Sequence, residues 1–276
     1  MRNKPQQSVV LHPERAGAFC REKSGIHSFA PLFSPLKKVV LEIRGTPEAA
    51  GKKAVFVSDL HWQDRCDQRK LLDQAVAFIR REKADYIFFG GDGCGDAATL
   101  DQLPDVLQKF SSLAPAAIAV PGNWEEGKTW ISEEKWRDIY RRGGFDYLIN
   151  ETFDDGIIHV AGLSCRFTGD DLPQLPAPAE NSVNIVLAHR TGSFFAAQDF
   201  HHSGKYQLVL TGHTHGGQIR IPGAGAFLHT GYYGMDYGLY RHRANNCRLF
   251  VSAGISEGKY PIRFNCRREI VVVKFV

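Results

Sequence analysis

Ala54-Val-Phe-Val-Ser-Asp59-Leu-His61 decides how this chain is read. Ala54–Ser58 is a compact apolar run of strand length, and a carboxylate and an imidazole follow it two residues apart. The arrangement recurs downstream. Tyr86–Phe89 is followed by Gly91-Asp92, Ala116–Val120 by Gly122-Asn123, Asn184–Ala188 by His189, and Gln207–Leu210 by His213-Thr-His215. Between the first two runs, Asp67–Lys83 sets Leu71, Leu72, Ala75, Val76, Phe78 and Ile79 on one helical stripe facing a sheet. A second helix is predicted over Ala97–Phe110, with Asp96 as its N-cap. The alternation is that of an α/β fold, in which loops after successive strands converge on one sheet edge.

Each polar island offers oxygen or imidazole donors and none offers thiolate. Manganese, iron or zinc therefore fit, and an iron–sulfur cluster does not. Taken singly, the islands have plain readings: an aspartate after a strand caps a turn, and glycines shape one. Alternate residues of an extended segment point the same way, which makes His213 and His215 a better pair than most. Five islands at five strand ends read together as one two-metal site, and the chemistry as metal-assisted hydrolysis.

The rest of the chain is consistent with a soluble enzyme. With 276 residues and 43% hydrophobic content it can bury a substantial core as one large domain, expected over 51–276. Residues 1–50 read as an N-terminal arm with a first strand at Val39–Ile43. No apolar run there is long enough for a signal segment or a membrane span, so a cytoplasmic location is expected. Apolar Ile26, Phe29, Leu32, Phe33 and Leu36, ahead of Lys37-Lys38, leave room for peripheral contact with the inner face of a membrane. The net charge of +4 suits an anionic substrate and gives no reason to expect nucleic acid. Six scattered cysteines without a CxxC pair indicate neither a zinc ribbon nor a disulfide framework. From Gln218 onward, glycine and β-branched residues predict hairpins completing a second sheet and ending in Glu269–Val276.

From about residue 54 to the C-terminus, the islands resemble the calcineurin-like metallophosphoesterases. That resemblance implies a four-layer α/β fold, a β-sandwich of two mixed sheets flanked by helices. Gly212-His-Thr-His-Gly-Gly-Gln-Ile219 and Pro261-Ile-Arg-Phe-Asn-Cys266, with Glu269, are similar to one branch in particular. This branch holds bacterial, often membrane-associated phosphohydrolases similar to the UDP-2,3-diacylglucosamine pyrophosphatases of lipid A synthesis. Carried over by motif, Asp59, His61 and His215 would hold one metal, Asn123, His189 and His213 the other, and Asp92 would bridge them. Asp92, Asn123 and His189 form the expected catalytic set. Manganese is the favoured metal, and a metal-activated water would attack phosphorus in line. The expected partner is a phosphorylated small molecule or nucleotide-lipid; the oligomeric state is not legible.

Position 124 departs from that pattern, because the family usually carries histidine there to contact substrate and protonate the leaving group. Trp124 can donate a hydrogen bond but is no acid near neutral pH. Substrates with good leaving groups suffer least from such a change, which favours a pyrophosphate bond over an alkyl monoester. His201, His202, His229 and His242 are the alternative proton donors in or near predicted loops. Two other readings stand beside the main one: a general phosphodiesterase of soluble nucleotides, and a metal-binding protein with weak or no catalysis. An apolar groove beside the metals would count against the soluble-nucleotide reading. Trp124, Arg190 and Arg220 are the candidate substrate contacts, the arginines because a guanidinium grips phosphate bidentately. Tyr232, Tyr233, Tyr237 and Tyr240 read first as hairpin packing, and Trp130–Arg142 as a helix with one buried face.

Overall fold

The computed structural model describes residues 12–22, 26–29, 36–127, 131–166, 172–227, 229, 231–258 and 262–276. Leu32, Phe33, Trp130 and Pro261, named above, lie outside them. The chain opens with helix α1 (Pro13–Gly17), β1 (Phe19–Arg21), β2 (Ile26–Phe29), β3 (Leu36–Ile43) and β4 (Lys53–Val57). Then follow α2 (Cys66–Glu82), β5 (Tyr86–Phe89), α3 (Leu103–Ser111), β6 (Ala116–Ala119), α4 (Asn123–Gly127), α5 (Glu133–Arg142), β7 (Asp146–Tyr147) and β8 (Glu151–Asp154). The second half supplies β9 (Ile158–Gly162), β10 (Val183–Leu187), α6 (Thr191–Ala196), β11 (Leu208–Thr211), β12 (Arg220–Ile221), β13 (Gly225–Ala226), β14 (Gly238–His242), β15 (Arg248–Val251) and β16 (Arg268–Phe275).

Two seven-stranded mixed sheets result, in the orders β2-β3-β16-β4-β5-β6-β7 and β1-β14-β15-β11-β10-β9-β8. Strand side chains alternate between faces, so each sheet is apolar on both. Phe56, Phe88, Ile118, Ile185, Leu210 and Phe250 meet between the sheets. On the first sheet's other face, Val55, Ile87 and Phe89 pack under Leu72 and Ile79 of α2, Phe110 of α3 and Tyr140 of α5. On the second, Val186 and Val209 pack with Phe194 and Phe195 of α6. The four layers expected from the resemblance are present. Emptying one inner position, as in Phe56→Ala, costs about 3–5 kcal/mol.

Helix α5 buries Trp136, Ile139 and Tyr140 and turns its arginines to acidic neighbours: Arg137 bonds Glu133 and Glu151, and Arg141 bonds Asp138. All six cysteines are free thiols.

Three elements differ from the sequence reading. The strand expected at Val39–Ile43 begins at Leu36 and is third; β1 and β2 precede it, held by antiparallel pairing to β14 and β3. The helix expected over Ala97–Phe110 is a 3₁₀ segment, Ala97–Gln102, followed by α3. Pro104 in the first turn of α3 has no N–H to extend a continuous α-helix from upstream. Asp96 caps the 3₁₀ segment as expected, accepting the N–H of Ala98 at 3.0 Å. Finally, β14 and β15 pair as a hairpin in the second sheet, but β16 crosses back into the first, parallel to β3 and antiparallel to β4.

Candidate metal centre

Strands β4, β5 and β6 run parallel in one sheet, and β10 and β11 run parallel in the other. Their C-terminal ends therefore release the polar islands at one rim of the sandwich, where backbone bonds join them. Asp59 and His61 donate their N–H groups to the carbonyls of Gly91 (3.0 Å) and Asp92 (2.9 Å), and Gly212 donates to that of His189 (3.0 Å). The Asp59 carboxylate accepts the N–H of His213, and Oδ1 of Asp92 accepts that of Trp124 at 2.8 Å.

Asp59, His61, Asp92, His213 and His215 all have left-handed backbone, with φ of 59°, 46°, 54°, 70° and 49°. Such torsions are uncommon outside glycine, though Asp and His tolerate them better than most. Each chain therefore turns sharply as it leaves its strand and aims the next side chain inward.

Two groups of donors assemble. One side-chain atom each from Asp59, His61 and His215 lies within 4.8 Å of the others, and so do those of Asp92, His189 and His213. Asp92 stands between the groups: its Oδ2 is 3.3 Å from Nε2 of His189 and 3.5 Å from Nε2 of His61. Asn123 joins the second group, with Oδ1 3.1 Å from Nε2 of His189. All seven residues expected to ligate metal are thus brought together.

Hydrogen bonding fixes what these atoms present. The Nδ1 of His189 lies 2.7 Å from the carbonyl of Gly90, and that of His215 lies 3.0 Å from the carbonyl of Ser256. A carbonyl can only accept, so each Nδ1 carries the proton and each Nε2 points a lone pair into the site. There His189 meets Asp92 Oδ2 and Asn123 Oδ1, while His215 meets Nε2 of His61 at 3.2 Å. Acceptors crowded together in a buried space need cations between them, and imidazole, carboxylate and amide oxygen are donors that first-row divalent ions take. The residues fit two such ions.

Without a cation, a proton takes up part of this crowding. Burial alone would push the His189 imidazole down, but the Asp92 carboxylate outweighs it and lifts the group to about 9. Asp92 itself is held far below the usual carboxylate range; its burial opposes this, and His189 and His61 overcome it. Burial drives His215 down to about 4. Burial, with the nearby charges of His189 and Arg190, takes His213 well below an ordinary histidine.

Glu125 was not singled out in the sequence, yet its carboxylate joins two of the loops. Oε2 accepts the N–H groups of Asp92 (3.0 Å) and Gly122 (2.8 Å); Oε1 accepts the N–H of Gly93 (2.9 Å) and the hydroxyl of Tyr140 (2.8 Å). It is 2% exposed. Its only sequence signal is an acid two residues after Asn123, which looks like an ordinary first-turn glutamate.

The metal ligands open into a cleft of about 720 Å³, whose walls include Gln63, Trp124, Gln218 and His229. Trp124 lies with its ring 5.9 Å from that of His61, edge to face. Trp124 and Gly95 also line a neighbouring cavity of about 250 Å³ with Leu100, Ile131 and Trp136. Neither Arg190 nor Arg220 is among the cleft's lining residues. Arg220 donates to the carbonyl of Gly216 at 3.0 Å and lies over the ring of Tyr237. Tyr237 in turn donates to Glu269, and Tyr240 to the carbonyl of Tyr237, as hairpin packing predicts. Of those four histidines, His229 alone lines the cleft; His202 bonds to the carbonyl of Leu175, and His242, the last residue of β14, packs on Phe19.

Residues 52–217 match the calcineurin-like phosphoesterase family, and the chain belongs to it. It is a metal-dependent phosphoesterase of a family that works with two metal ions. The phosphodiesterase YaeI of Escherichia coli (strain K12) is 27% identical over 237 residues, 83% of either chain. The metallophosphoesterase YkuE of Bacillus subtilis (strain 168) is 27% identical over 231 residues, 80% of this chain and 78% of that one. A dimetal phosphatase from Danio rerio superposes with a TM-score of 0.49 at 11% identity, covering 82% of this chain and 100% of the other.

Proposed function

We infer that this protein hydrolyses a phosphodiester or pyrophosphate bond, with Asp59, His61 and His215 holding one divalent cation and Asn123, His189 and His213 the other. The observation that carries this reading is the single carboxylate of Asp92 facing an imidazole of each group at 3.5 and 3.3 Å. Two cations there, manganese being our choice, supply Lewis acidity that polarises a phosphoryl group and lowers the pKa of water. The chain's own residues do the rest. Asp92 offsets charge between the two positions, while neutral Asn123 keeps the site positive enough to attract a phosphate. Oδ1 of Asp92 is held by the N–H of Trp124, so the carboxylate cannot swing toward one side.

The narrower substrate is a nucleotide-lipid of the UDP-diacylglucosamine type, cleaved at its pyrophosphate. Two things support it: the branch motifs and the apolar cavity beside the cleft. Exposed Ile221 lies in β12 and Phe227 just after β13, while exposed Ile262 and Phe264 belong to the segment that bonds to Gln218 and Arg220 at the start of the β12–β13 hairpin. They support peripheral contact with a membrane surface from the cytoplasmic side. No helix among the described residues is long and apolar enough to cross a membrane. The name of the E. coli relative supports diester chemistry. Trp124 also favours a second reading, a metal-binding protein with little turnover.

The test is manganese-dependent hydrolysis of an alkyl monoester, an aryl diester and a UDP-diacylglucosamine-type pyrophosphate, with Asp92→Asn as control. Turnover of the diester or pyrophosphate, lost in the variant, supports the reading. Bound metal with no turnover on any of the three moves the assignment to the binding protein.

A further inference from the structure

A second polar device stands in the cleft, apart from the metal ligands. His229 Nδ1 lies 2.5 Å from Oδ2 of Asp236, whose side chain is 6% exposed while that of the histidine is 62% exposed. The other oxygen of Asp236 accepts the N–H of Gly231 at 2.9 Å, which fixes the carboxylate's orientation. The backbone carbonyl of Asp236 accepts the hydroxyl of Thr214 at 2.6 Å. Thr214 is the residue between His213 and His215, so Asp236 ties His229 to the metal-ligand loop, its carbonyl held by Thr214 and its carboxylate by His229. An imidazole whose Nδ1–H is given to a buried carboxylate has its tautomer set and its Nε2 left for another partner.

We propose that His229 is the proton donor for the leaving group, supplying from a different loop what Trp124 cannot, with Asp236 as its positioning residue. The proposal rests on the phosphohydrolase reading. As water bonds to phosphorus, the bond from phosphorus to the leaving oxygen breaks and its electron pair stays on that oxygen. The oxygen takes the proton from Nε2 of His229, leaving a neutral imidazole still donating Nδ1–H to Asp236. The proton shed by the attacking water goes to solvent, from which His229 is recharged. The substrates reached in this way are phosphodiesters with alkoxide leaving groups, such as glycerol or ribose hydroxyls, in addition to activated esters and pyrophosphates.

The experiment compares manganese-loaded parent, His229→Gln and Asp236→Asn on two diesters that differ only in the leaving group, ethoxide or p-nitrophenolate. A general acid contributes about 10²–10⁴-fold where the leaving group is poor, so the loss for the ethyl ester should exceed that for the nitrophenyl ester by at least about 10-fold in both variants. Equal losses on both esters, or none on either, overturn the assignment. A second readout needs no turnover: in the zinc-loaded parent, inorganic phosphate should shift the imidazole ¹⁵N resonances of His229. Phosphate that moves the resonances of His213 or His215 but not those of His229 overturns it as well. A parent that hydrolyses neither ester, nor any pyrophosphate, while its zinc form shows no phosphate response removes the underlying phosphohydrolase reading, and the proposal falls with it.

Discussion

The carboxylate of Glu125 accepts the backbone N–H of Asp92 at 3.0 Å, so an acid that faces no cleft fixes the backbone of the acid standing between both ligand groups. Burial, and then the charge of Asp92, push the Glu125 carboxyl up, and the hydrogen bonds from Gly93 and Tyr140 oppose that. Replacing it strands buried N–H groups on two loops at once. Glu125→Ala should destabilise the fold by at least about 2 kcal/mol, since each buried donor left unsatisfied costs about 1–3 kcal/mol. It should also weaken metal binding although it removes no ligand. Urea unfolding and metal titration check this, and parental values in both would remove Glu125 from the account.

Metal binding should release protons at mildly alkaline pH. His189, lifted to about 9, is charged at pH 7.5 in the metal-free protein, and a cation must displace that proton. Calorimetric titration of manganese in two buffers of different ionisation heat should report about one proton released per site pair near pH 7.5, falling toward zero above pH about 10. No dependence on buffer would show His189 already neutral.

The same groups set how the metal-free protein responds to pH. His189 is raised, so its contribution to stability is full below about 6.5 and is lost as pH rises through about 9. His215 is lowered to about 4, so its contribution is present above about 6.5 and is lost as pH falls through about 4. The melting temperature of chelated protein should therefore decline in both directions from near-neutral pH, and metal should flatten the alkaline decline. Scanning calorimetry with and without chelator tests both limbs.

Asp92→Asn should keep the turn and lose the charge. Bound manganese measured after dialysis should fall from two ions toward one, and turnover to below about 1% of the parent, because the charge shared by the two ligand groups is gone. Full metal content with full turnover would place the bridging charge elsewhere.

Two glycine substitutions separate strain at the site from strain in general. A Cβ on Gly122 would sit 2.2 Å from Oδ1 of Asp92, whereas one on Gly127 would meet nothing within 4 Å. Gly122→Ala should cost about 1–3 kcal/mol or more and disturb metal binding, while Gly127→Ala should change stability by less than about 1 kcal/mol. Equal effects from the two would refute the close packing of Gly122 on Asp92.

Much of this arrangement was legible in the residues because it is built from local signals. Ala54–Ser58 and Tyr86–Phe89 are apolar runs with a polar stop, and a strand followed by ligand-type side chains can be read without knowing its neighbours. What escaped depends on distant partners. Strand β1 has only three residues and exists by pairing with β14, more than 200 positions away. The apolar alternation of β16 says that it is a strand but not which sheet receives it. Glu125 looks like any acid in a helix's first turn until Asp92, Gly122 and Tyr140 surround it. His229 and Asp236 are seven residues apart on an irregular stretch with no periodicity to announce the pair.

The left-handed turns at Asp59, His61, Asp92, His213 and His215 also bear on how this site can drift over generations. At such positions most side chains carry a torsional penalty of order 1–2 kcal/mol, which Asn, Asp and Gly largely escape. A change at one of these five residues therefore meets two filters, ligation and backbone, and few residue types pass the second. Loss of function by single substitution should run through asparagine at the aspartates more readily than through alanine or valine. Decayed copies of this protein should retain the shape of the rim after its chemistry has gone.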